Sequence, residues 1–290
     1  GKVVLIDFWT YTCINCIRTF PFLTAWDKKY RDQGLVILGV HTPEFEFEKK
    51  RENVEAATKK YGIEYRVVQD NNYATWSAYR NRYWPRKYLI DAEGYIRFDH
   101  IGEGAYEETE KKIQELLAEI NKSMEEAELT KLPDTTPTLP TTPELYAGYV
   151  FALNRGQNIG NKPGLQVDKT IDYSLPLEIE PNIIYLEGTW HSNKDNLEAR
   201  QGNASIVLDY LAKSLNIVAM DGSTELDVLV DGSYLASEMA GNDVQFDGER
   251  AFIAIDEPRL YNVVDGNYER HTLKLVVSSP GFSFHAFTFG

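Results

Sequence analysis

The only two cysteines of the 290-residue chain, Cys13 and Cys16, are separated by two residues. An apolar, β-branched and aromatic run from Val3 to Trp9 predicts a buried strand just before them, and a helix is predicted over residues 13 to about 32. The unpaired N–H groups and partial positive charge at the start of a helix stabilise a thiolate. We therefore expect Cys13 to attack a disulfide as the nucleophile and Cys16 to resolve the mixed disulfide.

Two other uses of a Cys-x-x-Cys pair remain open from the residues alone. A structural zinc site needs two further ligands, and none of the five histidines has the spacing of a paired ligand. A static structural disulfide would close too short a loop to gain much chain entropy. The position between a strand and a helix favours the redox-active pair, so we expect no metal site and no cofactor other than the Cys13–Cys16 disulfide.

Strands and helices alternate through the first part of the chain. Beyond the cysteines, buried apolar runs predict three more strands, and charged or amphipathic stretches predict two more helices. Strands that alternate with helices indicate an α/β layer built on a mixed sheet. The predicted bounds are 35–40, 86–90 and 95–101 for the strands, and 44–61 and 106 to about 128 for the helices.

A change of composition then divides the chain. Residues 131–143 are rich in Pro and Thr, which predicts a semi-rigid extended linker between a redox domain at 1–130 and a second domain at 144–290. Short alternating segments between turn residues, with no comparable helical stretch, indicate that the second domain is an all-β antiparallel sandwich or jelly roll. The predicted strands are 183–186, 204–210, 214–220, 225–230, 251–255, 271–277 and 282–289.

The segment around the cysteines resembles a known family. Residues 6–16, IDFWTYTCINC, are similar to the active-site segment of thioredoxins, and Tyr83-Trp84-Pro85 resembles the thioredoxin loop whose proline is cis and faces the disulfide. The resemblance implies that the backbone beside Pro85 holds an extended substrate chain. It also implies substrate contacts for Trp84, Trp9 and Thr12. From the residues alone, Pro85 is an ordinary strand-entry proline.

The resemblance also implies two catalytic acids. Asp7 matches the buried acid of thioredoxins that exchanges a proton with the resolving cysteine, and burial in an apolar strand raises the proton affinity of a carboxylate. Glu44 opens an insertion similar to the extra helix of extracytoplasmic TlpA- and ResA-like thiol reductases, some of which use an acid there to tune the cysteines. A solvated residue near a helix start is the alternative for Glu44. Ile14-Asn15 replaces the Gly-Pro of thioredoxin between the cysteines, which leaves the direction of electron flow open.

Taken together, the motifs of the whole chain resemble the C-terminal, extracytoplasmic region of DipZ-type proteins. They are Thr12-Cys13-Ile14-Asn15-Cys16, His41-Thr42-Pro43-Glu44-Phe45, Tyr83-Trp84-Pro85 and the terminal residues 286–290, AFTFG. In that family a transmembrane electron-transfer unit precedes a thioredoxin-like domain, and the C-terminal domain is a β-sandwich similar to carbohydrate-binding modules. The resemblance implies an extracytoplasmic protein, in the periplasm or at the cell surface, anchored through a membrane segment that this sequence does not contain.

Exposed aromatic rings of the second domain are candidates for stacking on sugars, because aromatic faces pack on the apolar faces of pyranose rings. Trp190 and Tyr234 are the candidate residues, with Tyr146 and Tyr149 as further possibilities. Trp190 is equally suited to the core of a sandwich. An acidic loop at residues 243–249 has oxygen ligands for Ca²⁺, although a solvated loop explains it better.

The net charge of −14 falls on the second half of the chain, because residues 1–122 carry 19 basic and 19 acidic side chains. Such acidity argues against binding to nucleic acid or anionic membranes. The sequence contains no apolar run long enough for a membrane helix, and it opens directly on a strand, which suggests an excised fragment.

The sequence therefore predicts a thiol–disulfide oxidoreductase that reduces extracytoplasmic protein disulfides, with electrons from a membrane domain or partner. By analogy, its role would be in cytochrome c biogenesis or in cell redox homeostasis. The alternative is a cell-wall or glycan-binding protein whose thioredoxin fold is redox-idle. In a third reading, the sandwich has only a structural role.

Overall fold

The computed structural model describes residues 1–121, 127–220 and 224–290. The chain forms two compact units, Gly1–Thr136 and Pro137–Gly290, here called unit 1 and unit 2. The division falls inside the Pro- and Thr-rich segment, and the domain bounds inferred from sequence stay predictions. No helix in these three described ranges is long and apolar enough to cross a membrane.

Unit 1 alternates strands and helices, as its hydrophobic pattern predicts. Among its described residues, the strands and α-helices are β1 Val3–Trp9, α1 Ile14–Tyr30, β2 Leu35–His41, α2 Arg51–Lys60, β3 Arg66–Gln69, α3 Ala74–Ala78, β4 Arg86–Ile90, β5 Ile96–Ile101 and α4 Tyr106–Ile120. The strands lie in the order β3-β2-β1-β4-β5. β1 runs parallel to β2 and antiparallel to β4, so the predicted mixed sheet of an α/β domain is confirmed.

The central strand β1 is buried along nearly its whole length. Because successive side chains of a strand point to opposite faces, Ile6 and Phe8 lie on one face and Asp7 and Trp9 on the other. Ile6 and Phe8 pack into a core cluster with Trp76 of α3. This leaves a carboxylate in the middle of the other face, between two neighbouring strands.

Several element bounds differ from the sequence predictions. The strand β3 and the five-residue helix α3 were not predicted, since β3 is mostly exposed and α3 is too short to show a helical period. The charged insertion at 44–61 contains a 3-10 helix, Glu46–Lys49, followed by α2. The last helix ends at Ile120, before the predicted end at 128; residues 122–126 of that prediction lie outside the described residues.

Unit 2 is almost entirely antiparallel β-structure, and the predicted all-β domain is confirmed. Its elements are β6 Leu145–Tyr146, α5 Tyr149–Asn154, β7 Thr170–Tyr173, β8 Ile184–Ser192, β9 Leu197–Ala199, β10 Ser205–Met220, β11 Thr224–Val230, β12 Ser233–Tyr234, β13 Gln245–Asp247, β14 Arg250–Ile255, β15 Arg259–Val277 and β16 Ser283–Phe289. One short helix, α5, was not predicted. The segments 204–210 and 214–220, predicted as two strands, form the single strand β10.

The long strand β10 folds the sheet of unit 2 back on itself. Along one side β10 pairs with β15, and register shifts at Ala212/Ser214 and Leu215/Asn216 mark bulges there. Along its other side, the first half pairs with β8 and the second half with β16. One strand thus contributes to both layers, which gives the unit the buried interior of a sandwich.

Candidate active site

Cys13 and Cys16 lie at the start of α1, where a disulfide-exchanging pair was predicted. Cys13 is the N-cap residue of the helix, and its Sγ accepts a hydrogen bond from the Cys16 N–H at 3.3 Å. Cys13 keeps 9% of its surface exposed, whereas Cys16 has none. Of the two sulfurs, Cys13 is the more accessible, which agrees with the prediction that it is the nucleophile and Cys16 the resolving thiol; both roles stay predictions.

The thiol of Cys16 holds its proton tightly. Burial raises its pKa well above the ordinary value, and the neighbouring Cys13 sulfur and Asp7 charge raise it further. A thiol in this state needs a base to take its proton before it can attack the mixed disulfide. The candidate base is on the adjacent strand.

Asp7 is fully buried in β1, as predicted. Burial raises the pKa of its carboxyl to about 7, and the charge of Lys87 lowers it in part. Neither carboxylate oxygen has a hydrogen-bond partner among the described residues. A carboxyl that titrates near neutral pH and is not committed to another group is suited to exchange a proton with Cys16.

Lys87 is a functional candidate that the sequence reasoning missed. It lies directly opposite Asp7 in the β1–β4 ladder, a position that brings Cβ atoms within about 4.5–5.5 Å of each other. Lys87 is fully buried, and its Nζ donates to the Gly102 carbonyl at 3.3 Å. Burial lowers the pKa of Lys87, and the charge of Asp7 raises it. The ammonium therefore faces the acid without neutralising it by a direct hydrogen bond.

Gly39 makes room on the other side of Asp7. It pairs with Asp7 across the β1–β2 ladder. A Cβ at this position would lie 2.8 Å from Trp9 Nε1 and 3.2 Å from the ring of Tyr65. Because Gly39 has no side chain, the rings of Trp9 and Tyr65 can pack beside the Asp7 carboxylate. Bulk water is therefore excluded from this side of the carboxylate.

Glu48 is a second buried acid near the cysteines. Its carboxylate accepts the Thr12 hydroxyl at 2.6 Å and the Glu44 N–H at 2.6 Å, and both residues flank the site. Burial raises the pKa of Glu48, and these donors counteract the rise. Glu44, the predicted tuning acid, is half-buried, and its backbone N–H donates to the Glu48 carboxylate.

His41 ends β2 beside the site. Its Nε2 lies 3.4 Å from the Thr10 hydroxyl, and its ring stacks on Tyr11 at a centroid distance of 5.7 Å. Burial lowers the pKa of His41 to about 3. The imidazole is therefore neutral at physiological pH and provides no positive charge that would stabilise a thiolate at the cysteines.

Polar contacts of Arg18 hold Asn15, one of the two residues between the cysteines. Arg18 donates to the Asn15 side chain at 2.9 Å and forms a two-pronged ion pair with Glu103, at 2.7 and 2.9 Å. Both charged side chains of this pair are largely shielded from water. Asn15 is thereby tied to the loop that follows β5.

The predicted substrate loop is only partly exposed, since Trp84 is half-buried and Pro85 is buried. The Trp84–Pro85 peptide bond is cis, as the resemblance implies. Trp84 is half-buried, donates from Nε1 to the Thr42 carbonyl at 3.1 Å and packs on Trp76 at 4.2 Å. Substrate contact by Trp84 and Pro85 stays a prediction.

The structure corrects two of the predicted substrate residues. Trp9 is fully buried and packs edge-on against Phe20 and His41, so its ring has no face for a substrate. Thr12 is almost fully buried, and both its hydroxyl and its N–H donate to Glu48. Thr12 positions the loop before Cys13 and does not offer its side chain to a partner.

In unit 2 the structure separates the predicted sugar-stacking residues. Trp190 has no exposed surface and donates from Nε1 to the Glu187 carbonyl at 3.0 Å, so the expectation that it stacks on a sugar is wrong. Tyr146 and Tyr149 are also buried. Tyr234 is 41% exposed and lies with Phe246, 44% exposed, in a cleft of about 730 Å³.

Family comparisons agree with this architecture. A thioredoxin-like family model matches residues 1–96, and a second one, described as a thioredoxin-like C-terminal domain, matches residues 142–290. The protein DipZ of Mycobacterium bovis and that of Mycobacterium tuberculosis are each 38% identical to the whole chain. The alignment spans 39% of the length of each DipZ.

Smaller relatives match unit 1 alone. The thiol-disulfide oxidoreductase YkuV of Bacillus subtilis is 29% identical over 41% of this chain and 79% of its own length. The solution structure of a thioredoxin-like protein in its oxidised form is 28% identical, covers 41% of this chain and 80% of its own, and has a TM-score of 0.39. The name of YkuV agrees with the predicted class of thiol–disulfide oxidoreductase. The chain belongs to the family defined by the thioredoxin-like C-terminal domain and corresponds to the C-terminal region of DipZ-type proteins.

Proposed function

We propose that this chain is a thiol–disulfide oxidoreductase that reduces protein disulfides outside the cytoplasm. The observation that carries the proposal is the arrangement of three groups: a Cys13 at a helix start that keeps 9% of its surface exposed, a fully buried Cys16, and a buried Asp7 whose pKa lies near neutrality. The resemblance to DipZ-type proteins supports a membrane domain or partner as the electron source. By the same analogy, the substrates are proteins of cytochrome c maturation or other extracytoplasmic thiol proteins.

The proposed reaction transfers two electrons to the substrate. The Cys13 thiolate attacks one sulfur of the substrate disulfide, a mixed disulfide forms, and the other substrate sulfur leaves as a thiolate. Asp7 accepts the Cys16 proton, and the Cys16 thiolate attacks Cys13 Sγ. The Cys13–Cys16 disulfide forms, and the second substrate sulfur leaves. The two released thiolates take up protons, so the substrate is reduced and the chain is oxidised.

The resemblance to TlpA- and ResA-like thiol reductases supports the reductive direction. The raised pKa of Cys16 is compatible with either direction, because the potential of such a pair depends on how strongly the thiolate of the attacking cysteine is stabilised.

The direction is tested by mass spectrometry with one disulfide-bonded peptide. The reduced chain is mixed with the peptide disulfide, and the oxidised chain is mixed with the peptide dithiol. We expect rapid reduction of the peptide in the first mixture and little oxidation in the second. The opposite result would establish an oxidant and refute the reductase proposal.

We also propose glycan binding by the cleft of unit 2 as a second function. Tyr234 and Phe246 present two exposed rings in one cleft, together with the polar side chains of Ser233 and Glu249. Exposed aromatic rings beside hydrogen-bonding groups are suited to pyranose rings. This arrangement supports glycan binding, the alternative role that the sequence left open.

Binding to cell-wall glycan fragments should depend on both rings. We expect Tyr234→Ala and Phe246→Ala each to weaken binding of the full chain by about tenfold, measured by titration calorimetry. Leu177→Ala, which removes an exposed apolar side chain elsewhere on unit 2, is the control. Absence of binding by the unmodified chain, or equal binding by all variants, would exclude the cleft as a glycan site.

A further inference from the structure

Glu48 accepts hydrogen bonds from two segments of unit 1. Its Oε1 accepts the Thr12 hydroxyl at 2.6 Å and the Thr12 N–H at 3.3 Å. Its Oε2 accepts the N–H of Glu44 at 2.6 Å and the N–H of Phe45 at 2.9 Å. The side chain is fully buried. Glu48, 36 residues after Thr12, thus connects the residue before Cys13 to the start of the charged insertion.

The pattern of donors requires the ionised carboxylate. The three backbone N–H groups donate and cannot reverse their direction, and the hydroxyls of Thr12 and Thr10 also interact with the carboxylate. A protonated oxygen would place a donor against a donor. Burying a carboxylate costs free energy that only full hydrogen bonding offsets. Its removal would leave several buried donors without partners.

The connection acts on the nucleophile through one peptide unit. Thr12 immediately precedes Cys13, the N-cap residue, whose backbone is extended at φ −82° and ψ 111° before the helix begins. When Glu48 holds the N–H and the hydroxyl of Thr12, it restricts the chain that delivers Cys13 to the helix start. Small displacements of a reacting group cost large factors in rate.

We propose that Glu48 is the positioning residue of this active site, which fixes Thr12 and thereby the attack geometry of Cys13. Glu44 serves through its backbone N–H as part of the same connection. The inference rests on the proposed dithiol chemistry but not on its direction. The charged insertion at residues 44–61 thereby contributes to catalysis by holding Thr12 in place.

Substitutions at both ends of the connection test this role in the full chain. Glu48→Gln preserves the shape but places an amide NH₂ against at least one backbone N–H in either orientation, and Thr12→Val removes only the hydroxyl. We expect the alkylation of Cys13 by iodoacetamide, and the formation of a mixed disulfide with a peptide, to slow by about tenfold in Glu48→Gln and by several-fold in Thr12→Val. Thr12→Ser restores the hydroxyl and should recover most of the loss.

The matched control is Glu46→Gln. Glu46 is in the same 3-10 helix, its side chain is 76% exposed, and it pairs with Lys49 at the surface. We expect it to react like the unmodified chain. The double variant Glu48→Gln with Thr12→Val should react no more slowly than Glu48→Gln alone, because both changes break one connection.

Two measurements separate positioning from simple loss of structure. Circular dichroism identifies any variant that fails to fold, and Thr12→Val, which keeps the carboxylate and its three backbone N–H donors, then carries the test. The pH dependence of Cys13 alkylation should shift in Glu48→Gln. Folded variants with unchanged rates and pH profiles, or additive effects in the double variant, would overturn the inference. An unreactive unmodified chain would instead refute the proposed function.

Discussion

Replacing Cys16 with Ser is expected to convert the protein into a trap for its substrates. Cys13 remains able to attack a disulfide, but the mixed disulfide cannot be resolved without the second thiol. Incubation with a disulfide-bonded protein should therefore yield a covalent 1:1 adduct that is visible on a non-reducing gel and released by dithiothreitol. Multiple turnover should be abolished.

The matched variant Cys13→Ser should form no adduct and show no turnover. The remaining thiol, Cys16, is fully buried and holds its proton. Activity in Cys13→Ser, or adducts formed through Cys16, would exchange the two assigned roles. Full turnover by Cys16→Ser would contradict the two-thiol mechanism.

Replacing Asp7 with Asn is expected to slow the resolution of the mixed disulfide at neutral pH by a factor on the order of 10², the lower range for loss of a general base. Because the pKa of Asp7 is raised to about 7, the carboxylate that accepts the Cys16 proton forms as the pH rises through 7. The single-turnover rate of the unmodified chain should rise over the same interval. The variant should lose this inflection, and its retention would show that another group is the base.

The same residue should make stability depend on pH. The folded pKa of Asp7 is raised from 3.8 to about 7, so its contribution to stability is fully present below pH 4 and is lost as the pH rises through 7. Relative to Asp7→Asn, the unmodified chain should lose roughly 2–3 kcal/mol of unfolding free energy between pH 5 and pH 8. Urea unfolding followed by tryptophan fluorescence measures this in unit 1, which contains four of the five tryptophans.

Lys87→Met supplies a control for the electrostatic account. The charge of Lys87 lowers the pKa of Asp7 against the larger effect of burial. Its removal should move both the kinetic inflection and the stability transition to higher pH. An unchanged or lower transition would mean that the ammonium does not act on Asp7.

The candidate redox site of unit 1 could be predicted from local sequence because its main residues are close together in the chain. The strand, the two cysteines and the helix follow one another within residues 3–30, and the structure places the strand and helix near the predicted bounds. Asp7 could be placed on the buried strand by its apolar neighbours. The predicted cysteine pair therefore needed no long-range information, whereas the predicted role of Asp7 came from the resemblance to thioredoxins.

Glu48 and Lys87 could not be found in the same way. Each acts through a contact with a residue distant in sequence, Thr12 for Glu48 and Asp7 for Lys87. Glu48 is in a run of charged residues in which most acids are solvated. Lys87 carried one weak signal, since strand alternation places it on the same face as the buried Leu89. Trp9 and Trp190 were misassigned because exposure depends on packing that composition does not reveal.

The most direct test of the central claim is the reduction potential of the Cys13/Cys16 pair. The full chain is equilibrated in dithiothreitol redox buffers, and the fraction of dithiol is quantified by thiol-specific mass labelling. A reversible two-electron transition at roughly −250 mV or below would agree with a reductase. A potential near −120 mV would identify an oxidant, and a pair that never cycles would contradict the account.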